Sequence, residues 1–203
     1  GLNLFSCNYG LKDTLYRPLP VKDDSRHKLE LLKNYVLQQI NPTGDRFSRD
    51  GFICLNEAAG RMVYIYYYRN RFVCLDTAFK VLYTGRMIDT NTVAKIKLAE
   101  YKSGDKTIQT MAEPGLMVNK HGYSDGGFLY IHSDLAADNE KLSTFNEYEV
   151  FDVYKLDDGR YSHSIYVPEY PGRQLTDFVV HGNRLIALYD KVLVVYQLPA
   201  PKR

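Results

Sequence analysis

The sequence contains no tryptophan and only three cysteines in 203 residues. Cys7, Cys54 and Cys74 lack the Cys-x-x-Cys spacing of zinc or dithiol sites. No apolar run reaches the roughly 18 residues that a membrane-spanning helix needs, so no transmembrane segment is expected. The net charge of +2 supplies no basic stripe for a nucleic-acid partner. Gly-x-Ser-x-Gly, His-Glu-x-x-His and phosphate-loop patterns are all missing. The sequence therefore implies no cofactor, no resident metal and no catalytic residue.

What it has in quantity is tyrosine, 18 residues in all. Tyrosine suits strands and half-wet interfaces, because its ring packs while its hydroxyl finds a partner. The densest stretch is GRMVYIYYYRNRFVCLD, residues 60–76. Read as a strand, it points Met62, Tyr64, Tyr66 and Tyr68 to one side and Val63, Ile65 and Tyr67 to the other. Both faces are apolar or amphipathic, so the strand must be covered on both sides. A buried helix is the other reading; β-branched and aromatic content, with Gly60 and Asn70 nearby, favours the strand.

The pattern recurs. GRMVYI at 60–65 is echoed by GGFLYI at 126–131 and GNRLIAL at 182–188. Strands precede each echo at 51–57, 115–120 and 175–180, and follow at 71–76, 147–157 and 191–198. Two units add a further strand, at 79–87 and 160–168. Asp157-Asp158-Gly159, Asn70 and Gly182-Asn183 fall where hairpin turns are needed. The unit is thus a four-stranded antiparallel meander. An all-β chain of such units reads as a partial or small β-propeller, with a β-sandwich as the alternative. In a propeller the wide spaces between blades would be filled by the tyrosines, and Tyr64 and Tyr66 are expected to be buried against another unit. Residues 51–203 would form the blades. Residues 1–50 of the same domain would supply a degenerate blade or a closing segment, with 2–8 as the strand that completes the last unit; 29–40 also reads as a short helix.

YYYRN at 66–70, IDT at 88–90, VNK at 118–120, FDVY at 151–154 and the closing GNRLIAL…VVYQL resemble uncharacterised bacterial envelope proteins of the six-bladed, NHL/TolB-like propeller type. The resemblance covers about residues 45–200. It implies a propeller fold and a periplasmic or outer-surface location, and it implies no agreed activity. Gly1 in place of Met reads as a fragment, such as the C-terminal portion of a larger propeller. GLNLFSC resembles a lipoprotein signal ending without its charged and long apolar parts, so Cys7 is read either as a lipid-anchored residue or as an edge-strand cysteine.

In such blades the second-to-third-strand turns and the crossovers share one face of the disc. The long segments 88–115, 134–146 and 168–174 all fall in those positions, which marks that face for ligand contact. Candidate contacts there are Tyr68, Arg69, Asn70 and Arg71, an aromatic and cationic tip suited to an anion or carbohydrate. Asp89, Asp134 and Asp138 are the acidic candidates. The acidic run SDLAADNE at 133–140 lacks the spacing and glycine of a calcium loop. His121, His132, His163 and His181 are not expected to converge. The leading function is a non-enzymatic binding module for a protein, peptide or glycan. The alternative is a propeller-type lyase or hydrolase acting on a sugar or lactone, which would gather Asp89, His121 and Asp134 around one metal.

Overall fold

The computed structural model describes residues 47–135 and 147–198. The chain divides into two compact units, Gly1–Thr43 and Gly44–Arg203, and the described residues belong to the second. The expected closing segment lies outside the described residues except for 47–50, which hold a single 3-10 turn, Phe47–Arg49.

Thirteen strands follow among the described residues. The first sheet is β1 (Gly51–Asn56), β2 (Arg61–Tyr66), β3 (Arg71–Asp76) and β4 (Val81–Arg86), paired in chain order. A separate hairpin comes next, β5 (Leu98–Ser103) and β6 (Lys106–Met111). The second four-stranded sheet is β7 (Asn119–Asp125), β8 (Phe128–Ser133), β9 (Tyr148–Lys155) and β10 (Tyr161–Pro168). The third holds β11 (Leu175–His181), β12 (Arg184–Tyr189) and β13 (Val192–Gln197). All pairings are antiparallel. Among the described residues the fold is therefore all-β, built of meanders like propeller blades, and the sheets do not close into a barrel.

The first strands of the three blades, β1, β7 and β11, lie side by side. They run the same way. At one end Asn56 Nδ2 donates to Ser124 Oγ and Gly126 O, both at 3.0 Å, and Gly182 N donates to Asp125 Oδ2 at 3.1 Å. At the other end Val118 N donates to Tyr67 O at 2.8 Å. Gly122 makes the approach of β7 to β1 feasible. A Cβ there would lie 2.9 Å from Ile65 Cδ1 and from the Phe52 ring, and 3.0 Å from Cys54 Sγ.

Blades stack through side chains. Between the first and second, Cys54, Val63, Ile65, Phe72 and Cys74 meet Leu129, Ile131, Tyr154 and Leu156. Phe72 and Tyr154 rings stand edge-on at 5.5 Å, and Tyr83 Oη donates to Leu156 O at 2.6 Å. Between the second and third, Phe151 and Phe178 meet at 4.6 Å within a cluster that includes Tyr130, Leu185 and Tyr189. Burial raises the phenols of Tyr83, Tyr154 and Tyr189, so their hydroxyls stay protonated and serve as neutral hydrogen-bonding groups.

Three details differ from the sequence reading. Tyr64 and Tyr66 are buried, at 5% and 1% exposure, but on the face of β2 turned away from the second blade. Their rings pack on each other at 5.1 Å, with Tyr64 Oη donating to Arg49 O and Arg69 lying over Tyr66. Val63 and Ile65 take the inter-blade face, because successive residues alternate sides. The strand expected at 115–120 begins at Asn119, since Val118 and Asn119 donate their N–H groups to Tyr67 O before sheet pairing starts. The segment 88–115 is not all loop: it contains β5 and β6, closed at the base by Ala112 N donating to Lys97 O at 2.8 Å. Its mixed composition concealed the alternation.

Cys54 and Cys74 both pair with Val63, one from each side of β2. Two strand spacings, about 9–10 Å, separate them, beyond the roughly 7 Å limit of a disulfide. Both are free and buried.

The outer strands differ in how they end each sheet. β4 and β10 carry register shifts, and β10 also has Ser162, His163, Ser164 and a terminal proline. β13, VLVVYQ, pairs with β12 in unbroken register and has no charge. Leu193 and Val195 are 67% and 59% exposed on it. Phe72→Ala is expected to cost about 3–5 kcal/mol in urea denaturation, through the cavity left at the inter-blade seam. Val195→Ala should stay within about 0.5 kcal/mol. Equal effects would mean that the seam between the first two blades does not support the fold.

Candidate ligand-binding face

Because β1, β7 and β11 run together, their short first turns gather at one end and the longer connections at the other. The segments 67–70, 87–118, the described flanks of 134–147, and 169–174 all leave from this second face. They are knitted together there. Asn119 Nδ2 donates to Tyr66 O at 2.7 Å and Arg69 O at 3.1 Å. Asn70 N donates to Asn91 O at 2.8 Å, Asn70 Nδ2 donates to Asp89 O, and Met87 N donates to Asn70 O at 3.0 Å. Asp134 N donates to Val118 O at 3.0 Å. Buried amides suit this role, since each can satisfy several backbone groups that no strand reaches.

The sequence-derived candidates thus take different places. Asn70 is buried and holds the tip to the crossover. Tyr68 lies against Gly115, where a Cβ would come within 3.0 Å of its ring. Arg69 sits 4.9 Å above the Tyr66 ring and donates from Nη2 to Ser48 O. Arg71 is exposed. Asp89 Oδ1 accepts from Asn91 N at 2.8 Å, fixing the start of the long crossover. Asp134 forms an ion pair with Lys120 at 2.6 Å. Asp138 lies outside the described residues.

A hollow of about 20 Å³, room for roughly one water, opens between the first two blades on this face. Asp89, Ser133, Asp152, Ser164 and Tyr166 line it. Asp152 is 6% exposed and accepts from Ser164 Oγ at 2.5 Å. Sequence reading missed Asp152, whose position in FDVY looks like any strand residue.

Of His121, His132, His163 and His181, two meet and the other two lie elsewhere. His121 and His132 are cross-strand partners, and their rings stack at 6.4 Å. The corrected start of β7 is what aligns them. His132 is 1% exposed and lies 2.7 Å from Glu149 Oε2 through Nε2. Among the described residues no three His, Cys, Asp or Glu side chains are grouped as a metal would need. Burial holds the His121 imidazole below its ordinary value of 6.5, with His132 and Lys120 adding to that and Asp177 opposing it. Burial alone would raise the Glu149 carboxyl, but His132, Lys120 and the Leu175 backbone N–H pull it below 4.5.

No family model matches the chain, and no curated protein matches it. Among solved structures, Kluyveromyces lactis Hsv2 is similar at 10% identity, over 72% of this chain and 61% of that one, with a TM-score of 0.22. The structure of Hsv2 with complete loop 6CD is similar at 11% identity, over 72% and 60%, with a TM-score of 0.24. The chain spans about three fifths of the length of these structures. That degree of likeness assigns neither a family nor a ligand. Among the described residues no helix is long and apolar enough to cross a membrane.

Both shifted groups bind fewer protons folded than unfolded, so each contributes stability that is lost on acidification. The loss through His121 begins as pH falls below about 6.5, and that through Glu149 as it falls below about 4.5. The melting temperature of the wild-type chain should decline from pH 7 to pH 4. His121→Gln should flatten the upper part of that decline and Glu149→Gln the lower part. A curve unchanged by either substitution would show that neither group is linked to folding.

Proposed function

We propose that this chain is a non-enzymatic propeller module that binds its ligand across the long-connection face. One observation carries the reading: the three first strands run side by side in one direction, so the long connections leave from one end, where Asn70 and Asn119 tie the tip 67–70 to the crossover 87–118 and to β7. Packed sheets presenting irregular segments at one end are suited to recognition. The opposite face offers only tight turns.

The ligand class is a protein, peptide or glycan. Aromatic and arginine side chains at the tip 67–71 support that choice, since both bind planar or hydroxyl-rich surfaces. The periplasmic or outer-surface location of a bacterial envelope protein, with lipid attachment at Cys7, is supported by the sequence resemblance alone. The enzyme reading has no observation in its favour. Asp134 is paired with Lys120, His121 stacks on His132, and Asp89 holds Asn91, so each has a local task.

The test compares two variants on a glycan array and a peptide library. In one, residues 97–112 are replaced by a Gly-Ser link, removing the β5–β6 hairpin from the long-connection face. In the other, Asp158 and Arg160 on the short-turn face are changed to Ala. Binders of the wild-type chain should lose at least tenfold in affinity with the first and be unaffected by the second. Equal retention by both, or loss only in the second, would reject the assignment of the face.

A further inference from the structure

Four arginines belong to the rim of the first blade. Arg69 and Arg71 belong to the turn between β2 and β3. Arg86 ends β4, directly opposite Arg71 in the sheet register. Arg49 ends the 3-10 turn just before β1. All four sit at the long-connection end of their elements. Tyr66 is a neighbour of three of them: Arg69 lies over its ring, and the charges of Arg69, Arg71 and Arg49 all reach its hydroxyl.

This arrangement is costly as it stands. Like charges directly opposite on neighbouring strands repel. Yet Arg71 and Arg86 are held that way, both exposed and on the same face of the sheet. The Nε atoms of Arg49 and Arg69 are buried without a hydrogen-bond partner. Four other basic side chains are matched with carboxylates: Lys97 with Glu113, Lys120 with Asp134, Arg160 with Asp158 and Arg173 with Asp190. Among the described residues none of the four rim arginines has an ion pair with a carboxylate. In a chain of net charge +2, such an accumulation is local rather than general.

We infer that the Arg49, Arg69, Arg71 and Arg86 cluster is a binding site for a doubly charged oxyanion, a phosphoryl or sulfuryl group borne by the ligand. Guanidinium forks donate two parallel N–H groups to such oxygens, and several forks around one anion would relieve the repulsion between Arg71 and Arg86. Arg69 is already positioned by the Tyr66 ring and Ser48 O, so part of the site is preorganised. The inference deepens the reading of the long-connection face and rests on it for the identity of the larger ligand.

Thermal shift and calorimetry with inorganic phosphate, pyrophosphate and a sulfated oligosaccharide, at constant ionic strength against chloride, test it. The wild-type chain should be stabilised by at least one of them. Arg71→Gln/Arg86→Gln, altered only at exposed positions, should bind at least tenfold more weakly while melting in chloride at an equal or higher temperature. Arg71→Lys/Arg86→Lys should restore part of the response. Tighter binding of the oligosaccharide than of phosphate would place the anion on a glycan, and the reverse would place it on a phosphoryl ligand. No response in the wild-type chain, or a response that survives the glutamine pair, overturns the inference. Removal of 97–112 provides the separation. Anion binding that persists there while glycan or peptide capture also persists would defeat the face assignment but leave the anion site standing.

Discussion

Three sheets that share no backbone ladder hold together because aromatic side chains fill the gaps between them. Phe72, Tyr83 and Tyr154 close the first gap, and Phe151, Phe178 and Tyr189 belong to the core of the second. Large rings bridge spaces that aliphatic side chains would leave open. Tyrosine adds a hydroxyl that satisfies a loop. Tyr83 reaches Leu156 O, and Tyr154 Oη accepts from Ile88 N at 3.2 Å, so one side chain packs a seam and anchors a connection. The connections of the candidate binding face hang on this arrangement. If the seams slipped, Asn70, Asp89 and Asn119 would lose their common frame.

Much of this was legible as pattern. Largely apolar repeats at 60–65, 126–131 and 182–188, with turn residues between, pointed to antiparallel strands, and the first of them to a strand covered on both sides. The order of the strands followed from hairpin lengths, and the position of Cys54 and Cys74 on either side of β2 agrees with it. The N-terminal strand of the second blade was harder. Its HGYSD has one glycine and four polar or amphipathic residues, a composition typical of turns. Only the tight approach at Gly122 explains why such a sequence forms an inner strand. The partners of the tyrosines were equally hidden, because alternation tells which side chains share a face but not which face meets a neighbour.

The candidate site shows the same division. The tip 68–71 could be picked out from residue types, since arginines beside tyrosines at a hairpin end are chemically conspicuous. Its internal arrangement could not be. Asn70 turned inward and Arg69 settled on Tyr66, leaving Arg71 as the outward member of the tip. Arg86 and Arg49 join it only through strand register and the turn before β1, at sequence separations that no local motif spans. Asp152 and the His121–His132 stack likewise exist only once the sheets are folded.

Among the described residues the outer strand of the third blade differs from the other two outer strands. β4 and β10 end their sheets with register shifts that spoil the geometry for another strand. β13 offers a regular, uncharged row of N–H and C=O groups flanked by Leu193 and Val195. Any extended segment that reaches the rim finds a template already at the correct twist. Among the described residues β13 is thus the edge best shaped to accept another strand, through six residues outside the candidate binding site.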